Sequence, residues 1–146
     1  MTQDSDKTTI ARLIEARAEA IRSKDADAAL SHCAPDFVRY DLAPPLARSG
    51  AAALDRDNLI AWFETWQGAI RYELKDFAIT VSGDIAFGHG FLRIGGTKKD
   101  GYAGDVWTRQ TVCLRKRGGA WAIVHEHIST PFYMDGSLKA AVDLAP

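Results

Sequence analysis

The chain carries only two cysteines, Cys33 and Cys113, far apart and without the second pair that a metal knuckle would need. They are read as reduced core thiols of a cytoplasmic protein. No apolar run approaches the roughly 20 residues that span a bilayer, since the best are short stretches such as Ala120 to Val124. No membrane anchor is expected. The opening Met1-Thr2-Gln3-Asp4-Ser5-Asp6 lacks the basic start and apolar middle of a secretory signal, which also favours a cytoplasmic location. A charge excess is missing too: 18 Lys and Arg face 19 Asp and Glu, with no like-charge block long enough to follow a phosphate backbone. Nucleic acid is therefore not an expected partner. With no Gly-rich phosphate loop, nucleophile elbow or Cys/His dyad, nucleotide-dependent and acyl-enzyme chemistry have no support.

What is present is ordinary globular material, 146 residues that are 47% hydrophobic and 25% charged. A chain of this size buries roughly 68–70% of its unfolded surface, so residues 1–146 are read as one domain with one core. Ile10, Leu13, Ile14, Ala18 and Ile21 recur at helical spacing and predict a helix from Thr8 to Arg22, with Ser5 or Asp6 as its cap. Asp25 is placed to cap a second, short helix through Ala29, Leu30 and Cys33, stopped by Pro35. A brief strand from Phe37 to Asp41 and a Pro/Gly loop from Leu42 to Gly50 follow. Leu59, Trp62, Phe63 and Trp66 then form the face of a third helix, capped by Asp55 or Asp57 and ended by Gly68.

Beyond that the period becomes 2, predicting strands near Arg71 to Val81, Ile85 to Ile94, Val106 to Lys116 and Ala120 to Ser129. The apolar parity switches between Leu74 and Phe77, which a bulge at Lys75-Asp76 explains. Ser82-Gly83-Asp84 and Arg117-Gly118-Gly119 are tight-turn chemistry, and Gly95 to Asp105 reads as a longer polar loop. The expected class is α+β, a cone-shaped curved antiparallel sheet with three N-terminal helices on one face.

Two segments carry a family likeness. One is the hairpin from Trp107-Thr108-Arg109-Gln110-Thr111 to Val124-His125-Glu126-His127-Ile128-Ser129; the other is Tyr40-Asp41 followed by Arg48-Ser49-Gly50. With the order of elements they resemble the SnoaL-like branch of the nuclear transport factor 2-like (NTF2-like) superfamily. That superfamily includes ketosteroid isomerases, polyketide cyclases, dehydratases and non-catalytic assembly domains, so the resemblance implies a fold rather than a reaction. In the ketosteroid isomerases a general-base aspartate ends the first strand before a proline loop and an Arg-Ser-Gly turn, and Asp41 stands at that place. Their oxyanion hole uses a first-helix tyrosine and a protonated aspartate on the penultimate strand. This chain has neither, the strand position near Thr111 lacking an aspartate.

Asp41 is thus the candidate base, its alternative being a turn carboxylate beside Pro44-Pro45. A carboxylate at an apolar mouth is partly desolvated, which suits it to accept a proton near neutral pH. His89, alternating with Phe87 and Phe91, is a candidate proton donor if that face looks into the pocket, and otherwise a core histidine. Glu126 is the second candidate donor, because in relatives of this fold its parity faces the pocket. Tyr40, Trp62, Phe63, Trp66 and Phe91 are candidate lining for a flat apolar guest, against a purely structural role for the aromatic helix face. A three-residue turn would set Arg109 opposite His127 and Thr111 opposite His125, a polar ladder read as the face of a homodimer. His125 and His127 point the same way but lack a third ligand, so no metal and no cofactor are expected. The expected partner is a small apolar or aromatic molecule. The protein is read as an isomerase, cyclase or dehydratase, or as a non-catalytic binder or assembly domain.

Overall fold

The computed structural model describes residues 3–146, so Met1 and Thr2 lie outside the described residues. Helix α1 (Gln3–Arg22) buries Ile10, Ile14, Ala18 and Ile21 along one stripe, as their spacing requires, and begins a turn earlier than the periodicity marks. Asp25 caps α2 (Ala26–Ser31) by accepting a hydrogen bond from the Ala28 amide at 3.1 Å. Strand β1 (Cys33–Tyr40) then takes in both Cys33 and Pro35, where the sequence placed the end of a helix. A residue before proline favours extended backbone. Pro35 also lies where the register of β1 shifts, between Cys33 and Val38, so no ladder bond is lost to its missing N–H.

After a loop come β2 (Arg48–Ser49), a 3-10 turn (Gly50–Ala52) and α3 (Arg56–Glu64), whose N-cap Asp55 accepts from the Asn58 amide. The helix stops at Thr65, short of Gly68, because Trp66 already pairs with Lys98 as the first residue of β3 (Trp66–Ser82). The remaining strands are β4 (Ile85–Lys98), β5 (Ala103–Arg117) and β6 (Ala120–Ser129). The curved, unclosed sheet runs β2-β1-β6-β5-β4-β3. It is mixed rather than wholly antiparallel, since β1 pairs parallel with β6. Parallel neighbours need a long connection, and here everything from the β2 loop to β5 supplies it.

The bulge expected at Lys75-Asp76 is present: the β3 register shifts between Lys75 and Ala78, and Asp76 has φ 54. Opposite it, a side chain on Gly90 would come within 2.8 Å of the Phe77 backbone and one on Gly88 within 2.4 Å of the Phe77 ring. The two glycines make room for the bulge. The segment expected as a loop from Gly95 to Asp105 is mostly paired strand, with Gly95 opposite Asp105 and Thr97 opposite Ala103. Gly95 is needed because the Asp105 carboxylate crosses over it, 1.9 Å from where a Cβ would stand, and ion-pairs with Arg71 and with Arg93 at 2.8 Å.

The last hairpin also departs from expectation. Arg117 pairs with Ala120 across a two-residue turn, and a bulge skips Val124, leaving Arg109 opposite Ser129, Thr111 opposite His127 and Cys113 opposite His125. The bulge flips parity within β6, so Trp121, Ile123, Glu126 and Ile128 all face inward. Two apolar clusters fill the interior, one around Ile10, Ile14, Phe37, Val112, Leu114, Trp121 and Ile123, the other around Ile21, Phe63, Trp66, Ile70, Tyr72, Leu92 and Ile128. No described helix is long and apolar enough to cross a membrane.

Candidate functional site

Inside the second cluster the helices and sheet stand apart around a cavity of about 580 Å³. Arg17 of α1, Arg39 and Asp41 at the end of β1, Arg48 of β2, Trp62 of α3, Trp66 and Tyr72 of β3, and Lys98 of β4 all border it. Period 2 explains the β1 contribution: Phe37, Arg39 and Asp41 share the inner face, and Tyr40 lies outside.

At the inner wall sits a charged seam. Glu126 is fully buried and takes both Arg17 guanidinium nitrogens, one at 3.2 Å and one closer, with the Gln110 side-chain amide donating at 2.9 Å. Arg39, paired with Glu126 across the parallel β1–β6 register, adds its Nε at 3.3 Å, near enough for ion pairing but not aimed as a hydrogen bond. Burial alone would raise the Glu126 pKa. The two guanidiniums and the bonds from Arg17 and Gln110 outweigh it and hold the carboxyl down at about 2. Arg17 loses hydration by burial, yet Glu126 beside it raises its pKa and fixes its charge. Glu126 is therefore an ionised, saturated anchor at neutral pH and has no proton to give. That corrects its expected part as a donor.

Asp41 occupies the cavity rim with its side chain 38% exposed. Its Oδ1 accepts from the Leu42 amide at 2.7 Å and its Oδ2 lies 3.2 Å from Arg39. Tyr72, buried, borders the cavity, and its hydroxyl is itself buried and has no hydrogen-bond partner. Burial first, then the nearby Glu126 charge, push its pKa up, so the hydroxyl stays protonated. Trp66 Nε1 is likewise buried and unpartnered. The Lys98 ammonium sits 3.8 Å from the centroid of the Trp66 ring and donates to Thr65 Oγ1 at 2.7 Å. Burial lowers the Lys98 pKa, with Asp100 opposing.

Of the residues singled out in the sequence, Asp41, Trp62 and Trp66 meet on this cavity. Phe63 is 3% exposed and belongs to the core behind it. His89 and Phe91 do not reach it. The inward positions of that stretch are Gly88, Gly90 and Leu92, so pleating turns Phe87, His89 and Phe91 to the opposite face, where the His89 and Phe87 rings stack 6.5 Å apart. Tyr40 is on that outer face too, its ring edge-on to His125 at 4.7 Å and to His127 at 5.4 Å. His125 Nδ1 donates to the Val38 carbonyl at 2.8 Å, while Arg109, Thr111 and His127 are exposed. Sequence reasoning missed Arg17, Arg39, Arg48 and Tyr72. Two of them had a signal: Arg17 is a cation on the apolar stripe of α1 between Ile14 and Ile21, and Arg48 opens the Arg48-Ser49-Gly50 motif.

A helix-backed, curved α+β cone enclosing one large cavity is the architecture of the NTF2-like superfamily. The family model of the SnoaL-like domain matches residues 10–133, and the chain belongs to that family. Among curated proteins none matches the chain. It is similar to an NTF2-like protein of unknown function from Pseudomonas putida KT2440, at 29% identity over 100% of both chains with a TM-score of 0.88. A Novosphingobium aromaticivorans protein, named as a proposed aromatic ring hydroxylase, is 26% identical over 88% of this chain and 91% of its own, with a TM-score of 0.77. The association domain of C. elegans CaMKII shares the fold at 18% identity, over 88% of this chain and 98% of its own, with a TM-score of 0.68.

Proposed function

We propose that the chain binds a small, largely apolar or aromatic molecule in the cavity and acts on it by general-base catalysis, as a cofactor-independent isomerase, cyclase or dehydratase. The observation that carries this is Asp41, a carboxylate fixed at both oxygens on the rim of a cavity of about 580 Å³. Ligand pockets typically span about 300–1,000 Å³ with few polar groups. Trp62, Trp66, Leu59 and Ile94 give this one an apolar wall suited to a flat guest, and the name of the Novosphingobium relative agrees with an aromatic one. Tyr72, whose unpartnered hydroxyl stays protonated, is the proposed donor in place of His89 or Glu126.

The test is solvent deuterium exchange into a panel of aryl ketones, followed by NMR. Positioned bases contribute about 100-fold to 10,000-fold, so Asp41→Asn is expected to cut exchange by that order while leaving melting unchanged. Undiminished exchange in this variant removes Asp41 from the mechanism.

A homodimer through the outer sheet face is part of the same proposal, because Phe87, His89, Arg109, Thr111 and His127 are exposed there on adjacent strands. Light scattering at micromolar concentration is expected to give twice the chain mass. A monomeric mass overturns it.

A further inference from the structure

We infer that the guest carries a carboxylate and that Arg48, with Arg39, holds it at the β1–β2 edge of the cavity. This rests on the ligand-binding reading above and adds the chemical class of the ligand. The geometry begins with the register: Arg39 and Arg48 are direct cross-strand partners in the antiparallel β1–β2 pair, and both border the cavity. Like charges placed directly opposite on a sheet repel, so such a pair is explained by an anion between them. The protein provides carboxylates to Arg39 but, among the described residues, none to Arg48. Asp41 and Glu126 are both near Arg39, but Glu126 is already shared with Arg17, and Arg48 makes no ion pair among the described residues.

The rest of the lining agrees. Arg17, Arg39, Arg48 and Lys98 border the cavity with Asp41 and Asp55. Glu126 in the wall pairs with Arg17 and Arg39, and the Asp55 carboxylate is engaged as the cap of α3, accepting from the Asn58 amide, which leaves Arg48 as the bordering arginine without an ion pair among the described residues. The cationic lining belongs to a chain whose net charge is −1, so it is local rather than a reflection of composition. Guanidinium groups bind carboxylates through paired N–H bonds, and the apolar walls strengthen such bonds by limiting water. Leu59, Trp62 and Ile94 line the same cavity and receive the body of the guest. The class is thus a flat organic acid, its carboxylate on the Arg48 side of Arg39 and clear of Asp41.

Binding of 2-naphthoate and of its neutral isostere 2-naphthamide, measured by titration calorimetry, tests this. A hydrogen bond to a charged group contributes about 1.5–3 kcal/mol, so the acid is expected to bind about tenfold or more tightly than the amide. Arg48→Met should remove that preference while leaving amide binding and the melting temperature near wild type, and Arg48→Lys should restore part of it. Equal affinity of acid and amide, or a preference that survives Arg48→Met, overturns the inference while leaving the cavity a binding site. Failure of both probes to bind at millimolar concentration overturns the ligand-binding reading and the inference with it.

Discussion

At one end of the cone, α1 lays Ile10 and Ile14 against Val112, Leu114, Trp121 and Ile123, and the space between helix and sheet is filled by side chains. At the other, Trp62, Trp66, Tyr72 and Ile128 stand around about 580 Å³ of open volume. The boundary is the seam of Arg17, Gln110 and Glu126, polar residues set within the buried stripe of each element: Arg17 between Ile14 and Ala18, Gln110 between Thr108 and Val112, Glu126 between Ile123 and Ile128. Buried ion pairs are seldom more stabilising than the apolar residues that could replace them. The seam is therefore better understood as the charged inner wall of the hollow end than as a device for stability.

The largest expected effect comes from breaking that seam on one side. Glu126→Leu leaves Arg17 buried without its partner and should cost about 3–5 kcal/mol in urea unfolding. The double variant Arg17→Met/Glu126→Leu should recover most of the loss. A single variant as stable as the wild type would mean that water reaches Arg17. Next, Ile123→Ala in the filled end should cost about 2–5 kcal/mol because its surroundings cannot collapse, whereas Ile94→Ala on the cavity wall, half-buried and already beside open volume, should cost about 1 kcal/mol. Equal losses would contradict the division into filled and hollow ends.

Acid should dissolve the same boundary. Glu126 titrates near its ordinary 4.5 when unfolded and at about 2 when folded, so the folded state binds this proton less readily. Its contribution is fully present above about pH 4.5 and is lost as pH falls toward 2, amounting to about 3 kcal/mol. Stability of Glu126→Gln followed from pH 6 to 3 should fall less steeply than that of wild type. The smallest effect is expected outside: Lys7→Gln, exposed on α1 away from the outer sheet face, should change stability by no more than about 0.5 kcal/mol.

Much of the fold was legible because local rules act on single residues: Asp25 and Asp55 cap helices as expected, and the parity change around Asp76 announces a bulge. The second bulge, at Val124, was not legible. Its inward and outward residues, Ile123 and His125, are two apart and so read as one face, and only pairing with β5 reveals the skipped residue. The site was half legible for the same reason. Asp41 stands at the end of its own strand, where a motif exposes it. Arg39, Arg48 and Glu126 become neighbours only through the β2-β1-β6 order, and His89 was misplaced because Gly88 and Gly90 leave no apolar side chain to mark the inner face.

Asp41 is proposed as the base on the ground that Glu126 is held ionised at neutral pH by Arg17, Arg39 and Gln110. Carbon-detected NMR of the Glu126 side-chain carboxyl, titrated from pH 7 down to pH 3.5 while the fold persists, tests it without a known ligand. The account predicts an almost constant chemical shift over that range, consistent with titration at about 2. A midpoint at or above the ordinary 4.5 would contradict it, because Glu126 would then be an acid able to give up a proton inside the site.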